Sequence, residues 1–341
     1  MRSSLKILMG LGAALSVAQL PVAQIKLSTP GRVQVPPAPP PSKVLEVSST
    51  KLVAAPDFGA YGTPVCDDDG NAYYHVGSFA SYSDSTVFRL AADEDDHQVF
   101  KLPPDAPEGA MFGAFNVTPA GRLWVVAFDR QGKIFGYRFS RDGTVAGRVH
   151  FEAPAYLQPE LFAAFDNDFF LLQGSFAKAA GPQFAGKKFA GLFGPGGVHI
   201  RELQIKQLAA TDAAKKRLPE GAISVGSDGN AYLLLPEKIL VISQSGQVLR
   251  ELPFRKREQE DRAGNLYVSG GLVVIALFRA RHTEIETHLL ALDANTGDEY
   301  GYYEPSPELG NNPICFSRDQ GVTFMRRNKD GKVKLQTAML R

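Results

Sequence analysis

A short polar turn followed by an apolar strand recurs along this chain, and the recurrence restricts the possible folds more than any other feature. The clearest copies are Asp69-Gly70-Asn71-Ala72-Tyr73-Tyr74, Ala120-Gly121-Arg122-Leu123-Trp124-Val125 and Asp228-Gly229-Asn230-Ala231-Tyr232-Leu233. Ala263-Gly264-Asn265-Leu266-Tyr267-Val268 and Gln320-Gly321-Val322-Thr323-Phe324 follow the same pattern, and Asp166-Asn167-Asp168-Phe169-Phe170-Leu171 is a version without glycine. Asp-Gly and Gly-Asn suit a tight turn with positive φ, and the aromatic and β-branched residues after them suit a strand. A second piece follows most copies: an apolar strand, a polar turn with Gly, and another strand. Ile239 to Arg250 is the cleanest case, with Phe135 to Val145 and His288 to Gly297 close behind. Lys188 to Ile200 and Val87 to Leu102 fit more loosely.

Each unit is therefore two hairpins in series, a four-stranded meander. One meander cannot bury both of its faces, but meanders set radially cover one another. The pattern predicts an all-β chain folded as a β-propeller. Five intervals separate Gly70 from Gly321, about 50 residues each, which predicts six blades. The last unit runs out of chain after Val333 to Leu340 and lacks a fourth strand, so Val44 to Val47 or Lys51 to Ala54 is expected to supply it. A solenoid would need shorter, more regular repeats and polar caps.

Before the repeats lies a different kind of sequence. Arg2 and Lys6 precede the apolar run Ile7 to Val17, with small-residue cleavage positions ending at Ala18 and Ala23, which predicts an export signal over 1–23. The run is too short for a transmembrane helix, which needs about 20 apolar residues. A proline-rich spacer over 24–42 carries Pro36, Pro37, Pro39, Pro40 and Pro41, and a single propeller domain is expected over 43–341. The formal net charge of +1, with thin basic clusters at Arg255 to Arg257 and Arg326 to Lys329, argues against nucleic acid as a partner. The expected mature chain has no transmembrane segment and resides in a periplasm or outside the cell. Gln204 to Leu218 shows no strand alternation and reads as a helical excursion, either a plain connection or a lid.

Two short stretches resemble known propeller repeats. Pro219 to Tyr232 resembles an NHL repeat, and Leu290-Ala291-Leu292-Asp293-Ala294-Asn295-Thr296-Gly297 resembles a strand-turn of the quinoprotein repeat. The resemblance implies a six-bladed or similar propeller and carries no activity with it. The Pro-Glu-Gly pieces also resemble, over two residues, the metal-binding loop of gluconolactonase-type propellers, without the Trp usual after it.

Candidate chemistry is sparse. Glu108 and Glu220 sit in the near-copies Pro107-Glu108-Gly109-Ala110 and Pro219-Glu220-Gly221-Ala222, and Glu160 follows Pro159 between them. All three fall where loops enter the expected innermost strands, with Asn311 and Asn312 at the matching place in the last unit. Such oxygen donors would take a hard cation such as Ca2+; the alternative is a solvated turn. Asp67-Asp68-Asp69-Gly70-Asn71 has part of a Ca2+ loop but no distal bidentate Glu, and reads as an acidic turn, as Asp93 to Asp96 does. The six histidines form no ligand pair, and no nucleophile turn, phosphate loop or Cys-x-x-Cys is present. Cys66 and Cys315 each follow a Pro-apolar pair in the first and last units, which become neighbours in a closed ring. Export and an even count favour a disulfide. Register leaves it open: one alignment sets the two cysteines one position apart, on opposite faces of their strands, and the other sets them two apart. The functional expectation is a ligand- or protein-binding or scaffolding propeller, the alternative a metal-dependent hydrolase or lactonase with its site at the channel mouth.

Overall fold

The computed structural model describes residues 41–54, 60–61, 63–78, 81–95, 97–203, 222–281, 284–327 and 332–341. The expected signal, nearly all of the spacer and the 204–218 excursion lie outside the described residues. The described chain is a six-bladed β-propeller of four-stranded antiparallel blades. Among the described residues no helix is long and apolar enough to cross a membrane.

The chain opens with β1 (Lys43–Leu45) and β2 (Ser49–Val53). Blade 1 then comprises a broken inner strand, β3 (Ala60–Tyr61) and β4 (Val65–Cys66), followed by β5 (Ala72–Ser78), β6 (Ser81–Leu90) and β7 (His97–Lys101). Blade 2 is β8 (Met111–Val117), β9 (Leu123–Phe128), β10 (Ile134–Phe139) and β11 (Val145–Phe151). Blade 3 is β12 (Leu157–Ala164), β13 (Phe170–Phe176), β14 (Lys188–Phe193) and β15 (His199–Glu202). Blade 4 is β16 (Ile223–Val225), β17 (Ala231–Leu234), β18 (Lys238–Ile242) and β19 (Val248–Pro253). Blade 5 is β20 (Arg262–Ser269), β21 (Leu272–Arg281), β22 (Glu284–Asp293) and β23 (Glu299–Pro305). Blade 6 is β24 (Pro313–Phe316), β25 (Gly321–Arg327) and β26 (Val333–Met339), completed by β2. The expected N-terminal closure thus falls to Ser49–Val53. Lys43–Leu45 instead adds a parallel fifth strand to the outer edge of blade 5.

The core is divided into six clusters, one between each pair of neighbouring blades. In β21, Leu272, Val274 and Ala276 pack towards blade 6, while Val273, Ile275 and Leu277 pack towards blade 4. Both faces are covered, so the strand reads as a continuous apolar run rather than an alternating one. Burying each Leu, Ile or Val contributes about 1.5–3 kcal/mol.

The repeated turn is a hydrogen-bonded unit. Asp228 accepts from the Asn230 backbone N–H at 3.1 Å, from Asn230 Nδ2 at 2.7 Å and from the Tyr232 hydroxyl at 2.9 Å. Gly229 takes φ +76, and Asp168 (φ 59) and Gln320 (φ 66) adopt the same left-handed conformation without being glycine. One repeat is placed differently from its sequence reading. Gly264 is no turn: it is the extra residue of a bulge within β20, and the turn of blade 5 is Gly270-Gly271. The sequence pattern is degenerate there because a bulge glycine and a turn glycine both precede an apolar strand.

Candidate functional site

The innermost strands form the wall of a central channel, β4 beside β8, then β12, β16, β20 and β24 back to β4. Their ladders are irregular. Bulges fall between Phe112 and Ala114, Pro159 and Leu161, Ala263 and Asn265, and Pro313 and Cys315. In blade 1 the inner strand is broken: β3 pairs with Val76 and Gly77, and β4 with Tyr73 and Ala72. Among the described residues no inner rung forms opposite Tyr74 and His75, and the opening exposes His75 to the channel.

A cavity of about 200 Å3 lies there, lined by Thr63, Pro64, His75, Phe112, Glu160 and Ile223 among others. The His75 ring lies flat on Phe112, centroids 3.7 Å apart and planes 2° from parallel. Its Nε2 is buried without a hydrogen-bond partner. Burial pushes the imidazole down to about 4, so it is neutral at neutral pH. Glu160, the bulge residue of β12, is engaged within its own blade. It accepts from the Ser175 hydroxyl at 2.6 Å and is paired with Lys188. Among the described residues the cavity therefore presents largely apolar walls, one neutral imidazole and one carboxylate whose charge is matched.

Of the other expected residues, the described ones do not line this cavity. Glu108 is exposed on the turn before β8, and Glu220 lies outside the described residues. Asn311 accepts from the Thr287 hydroxyl through its backbone carbonyl, 2.6 Å. Among the described residues no three His, Cys, Asp or Glu side chains converge as a metal site. The acidic run at 67–69 serves its turn and its neighbours. Asp67 accepts from Asn71 Nδ2 at 2.8 Å and the Tyr73 hydroxyl at 3.3 Å, and its burial raises its carboxyl above the usual range. Asp68 accepts from Ser269 Oγ at 2.7 Å and pairs with Arg318 at 3.1 Å, joining the turns of blades 1, 5 and 6.

Cys66 and Cys315 meet across the seam between blades 1 and 6 as a disulfide, their Cα atoms 5.4 Å apart. By the ladder registers, Cys66 corresponds to Phe316, so the two cysteines are one position apart in the repeat. That offset is what a ring requires. A blade packs one face on the blade before it and the other on the blade after it, so side chains meeting across an interface have opposite parity. His75 escaped the sequence reading because its exposure to the channel depends on an inner rung absent among the described residues, and nothing in its neighbours signals that.

No protein-family model matches this chain, and no curated protein matches it. Solved structures do resemble it in fold. A luciferin-regenerating enzyme is 8% identical, with 86% of this chain and 95% of that one covered and a TM-score of 0.49. Regucalcin from Agrobacterium tumefaciens, a calcium-binding protein, is 12% identical, with 85% and 95% covered and a TM-score of 0.49. A protein of unknown function from Bacteroides caccae is 11% identical, with 75% and 84% covered and a TM-score of 0.46. No chemistry is transferred from likenesses at these identities.

Proposed function

We propose that this chain is an exported propeller that binds a small ligand or a protein segment at the mouth of its channel. The supporting observation is the His75 opening: a largely apolar cavity with one buried, unpartnered imidazole nitrogen. Pockets of that make-up, apolar walls with a few placed polar groups, are built for binding. Glu160 is engaged within its own blade by Ser175 and Lys188. The cysteine pair supports export, since disulfides persist in oxidising compartments.

The test uses phenol, indole and imidazole as small probes, followed by ligand-observed NMR on the full chain. Thr63→Trp, which fills the mouth, is expected to abolish binding, and His75→Phe, which keeps the stacking on Phe112, to abolish it for probes with a polar group. Binding unaffected by both variants would place the site elsewhere. A fall in melting temperature on adding EDTA would favour the metal-dependent reading instead.

A further inference from the structure

We propose that the seam between blades 6 and 1 holds a second binding site, for a neutral polyhydroxylated small molecule of monosaccharide size. A cavity of about 400 Å3 opens there, twice the size of the channel cavity and within the range of small-molecule pockets, about 300–1,000 Å3.

The space exists because the seam lacks the pair of larger side chains that blades 1 to 4 present to the blade after them. In blades 1 to 4 the second residue of the second strand faces the following blade, and it pairs with a partner on the third strand. In blades 1 to 4 this pair is Tyr73 with Arg89, Trp124 with Arg138, Leu171 with Leu192, and Tyr232 with Val241. In blade 6 the residue that faces blade 1 at this level is the third of β25, and the pair is Thr323 with Thr337. The four large inner residues are buried, whereas both threonines are only half-buried. On the opposite wall, blade 1 presents Gly70, Ala72 and Ala92, which do not fill the gap.

The lining selects the ligand. Along one rung of blade 6 run the hydroxyls of Thr323, Thr337 and Ser49. The two threonine oxygens are 3.3 Å apart, so one proton is shared between them and the remaining donor and acceptor capacity faces the cavity. Aliphatic Ala72, Leu90, Ile314 and Leu335 supply apolar surface for the C–H face of a sugar ring. At the mouth, Asp93 and Asp95 offer exposed acceptors. Lys51 is already engaged, its amino group 3.3 Å from the Ala92 carbonyl and 3.6 Å from Asp95. An anion would meet two carboxylates and one committed cation. A purely apolar molecule would leave the outward hydrogen-bonding capacity of the hydroxyl rung unpaired. A neutral polyol satisfies both walls.

The experiment is calorimetric titration of the full chain with D-glucose, D-galactose and N-acetylglucosamine, with benzoate and tyramine as charged controls. Saturable binding of at least one sugar is expected, and of neither control. Thr323→Tyr, which restores the residue found in blades 1 and 4, should abolish that binding and raise the melting temperature. Asp93→Asn, at the exposed mouth and without packing consequences, should weaken it about tenfold. His75→Phe should leave it unchanged, which separates this site from the channel. Absence of binding by all three sugars, preferential binding of benzoate or tyramine, or sugar binding indifferent to both Thr323→Tyr and Asp93→Asn would each overturn the proposal. If Thr323→Tyr does not fold, the Asp93→Asn result decides.

Discussion

His75 shows how one side chain is set by what is missing around it. Its ring stacks on Phe112, no inner rung covers it among the described residues, and its Nε2 has no partner. Because burial lowers its folded value to about 4, the native state takes up its proton later than the unfolded chain, whose imidazole titrates near 6.5. The stability it allows is complete above about pH 6.5 and is lost as pH falls towards 4, on the order of 2 kcal/mol once partial solvent contact is discounted. His288 is also lowered, by burial first and the Arg279 charge second, and adds a drop of the same sign. Melting temperature followed from pH 7 to 4 should therefore fall, and His75→Phe should fall less steeply. Parallel curves for the two proteins would show that His75 is not buried as described.

At the level of elements, turns and edges carry the organisation. A side chain on an outer strand reaches a carbonyl in the next blade's outer turn at several interfaces. Gln98 Nε2 donates to the Asp142 carbonyl at 3.2 Å, Arg250 to the Ala294 carbonyl at 2.9 Å, and Arg201 to the Ser245 carbonyl. Lys51, on β2, makes the same link to Ala92, so the N-terminal strand takes over this stitch as well as the ladder of blade 6. The two N-terminal strands differ in consequence. β1 adds three residues to the edge of blade 5, burying Leu45, whereas β2 pairs along Val333 to Thr337 of β26 and buries Val53. A chain beginning at Ser48 should remain folded and lose about 1–3 kcal/mol, chiefly from Leu45. One beginning at Ala54 should expose the edge of β26 and aggregate or dimerise. Denaturant titration and size-exclusion chromatography distinguish the two, and equal behaviour would contradict the division of labour between β1 and β2.

For the whole molecule the decisive feature is closure. The last blade is built from both ends of the described chain, and Cys66–Cys315 and the Asp68–Arg318 pair fasten the same seam. A crosslink between residues 249 positions apart constrains the unfolded chain strongly. Cys66→Ser with Cys315→Ser should lower unfolding free energy by about 2–5 kcal/mol, read by denaturant titration. Thiol labelling of the denatured, unreduced protein should find no free cysteine; two labelled cysteines would remove the crosslink and, with it, the support it lends to an oxidising location.

The sequence by itself determined the propeller, the number of blades and the need for an N-terminal strand to finish the last one. Those follow from turn chemistry and apolar periodicity, which are local and repeat with every blade. It also marked Cys66 and Cys315, but not whether they meet, because the parity of packing around a ring is a property of the assembled blades. The sequence could not separate the turn glycines Gly270 and Gly271 from the bulge glycine Gly264, since each precedes a strand of the same character. Nor could it find His75 or the seam cavity. One depends on a rung absent among the described residues and the other on side chains that are small where blades 1 to 4 have larger ones, and both are differences between neighbours that only the tertiary structure sets side by side.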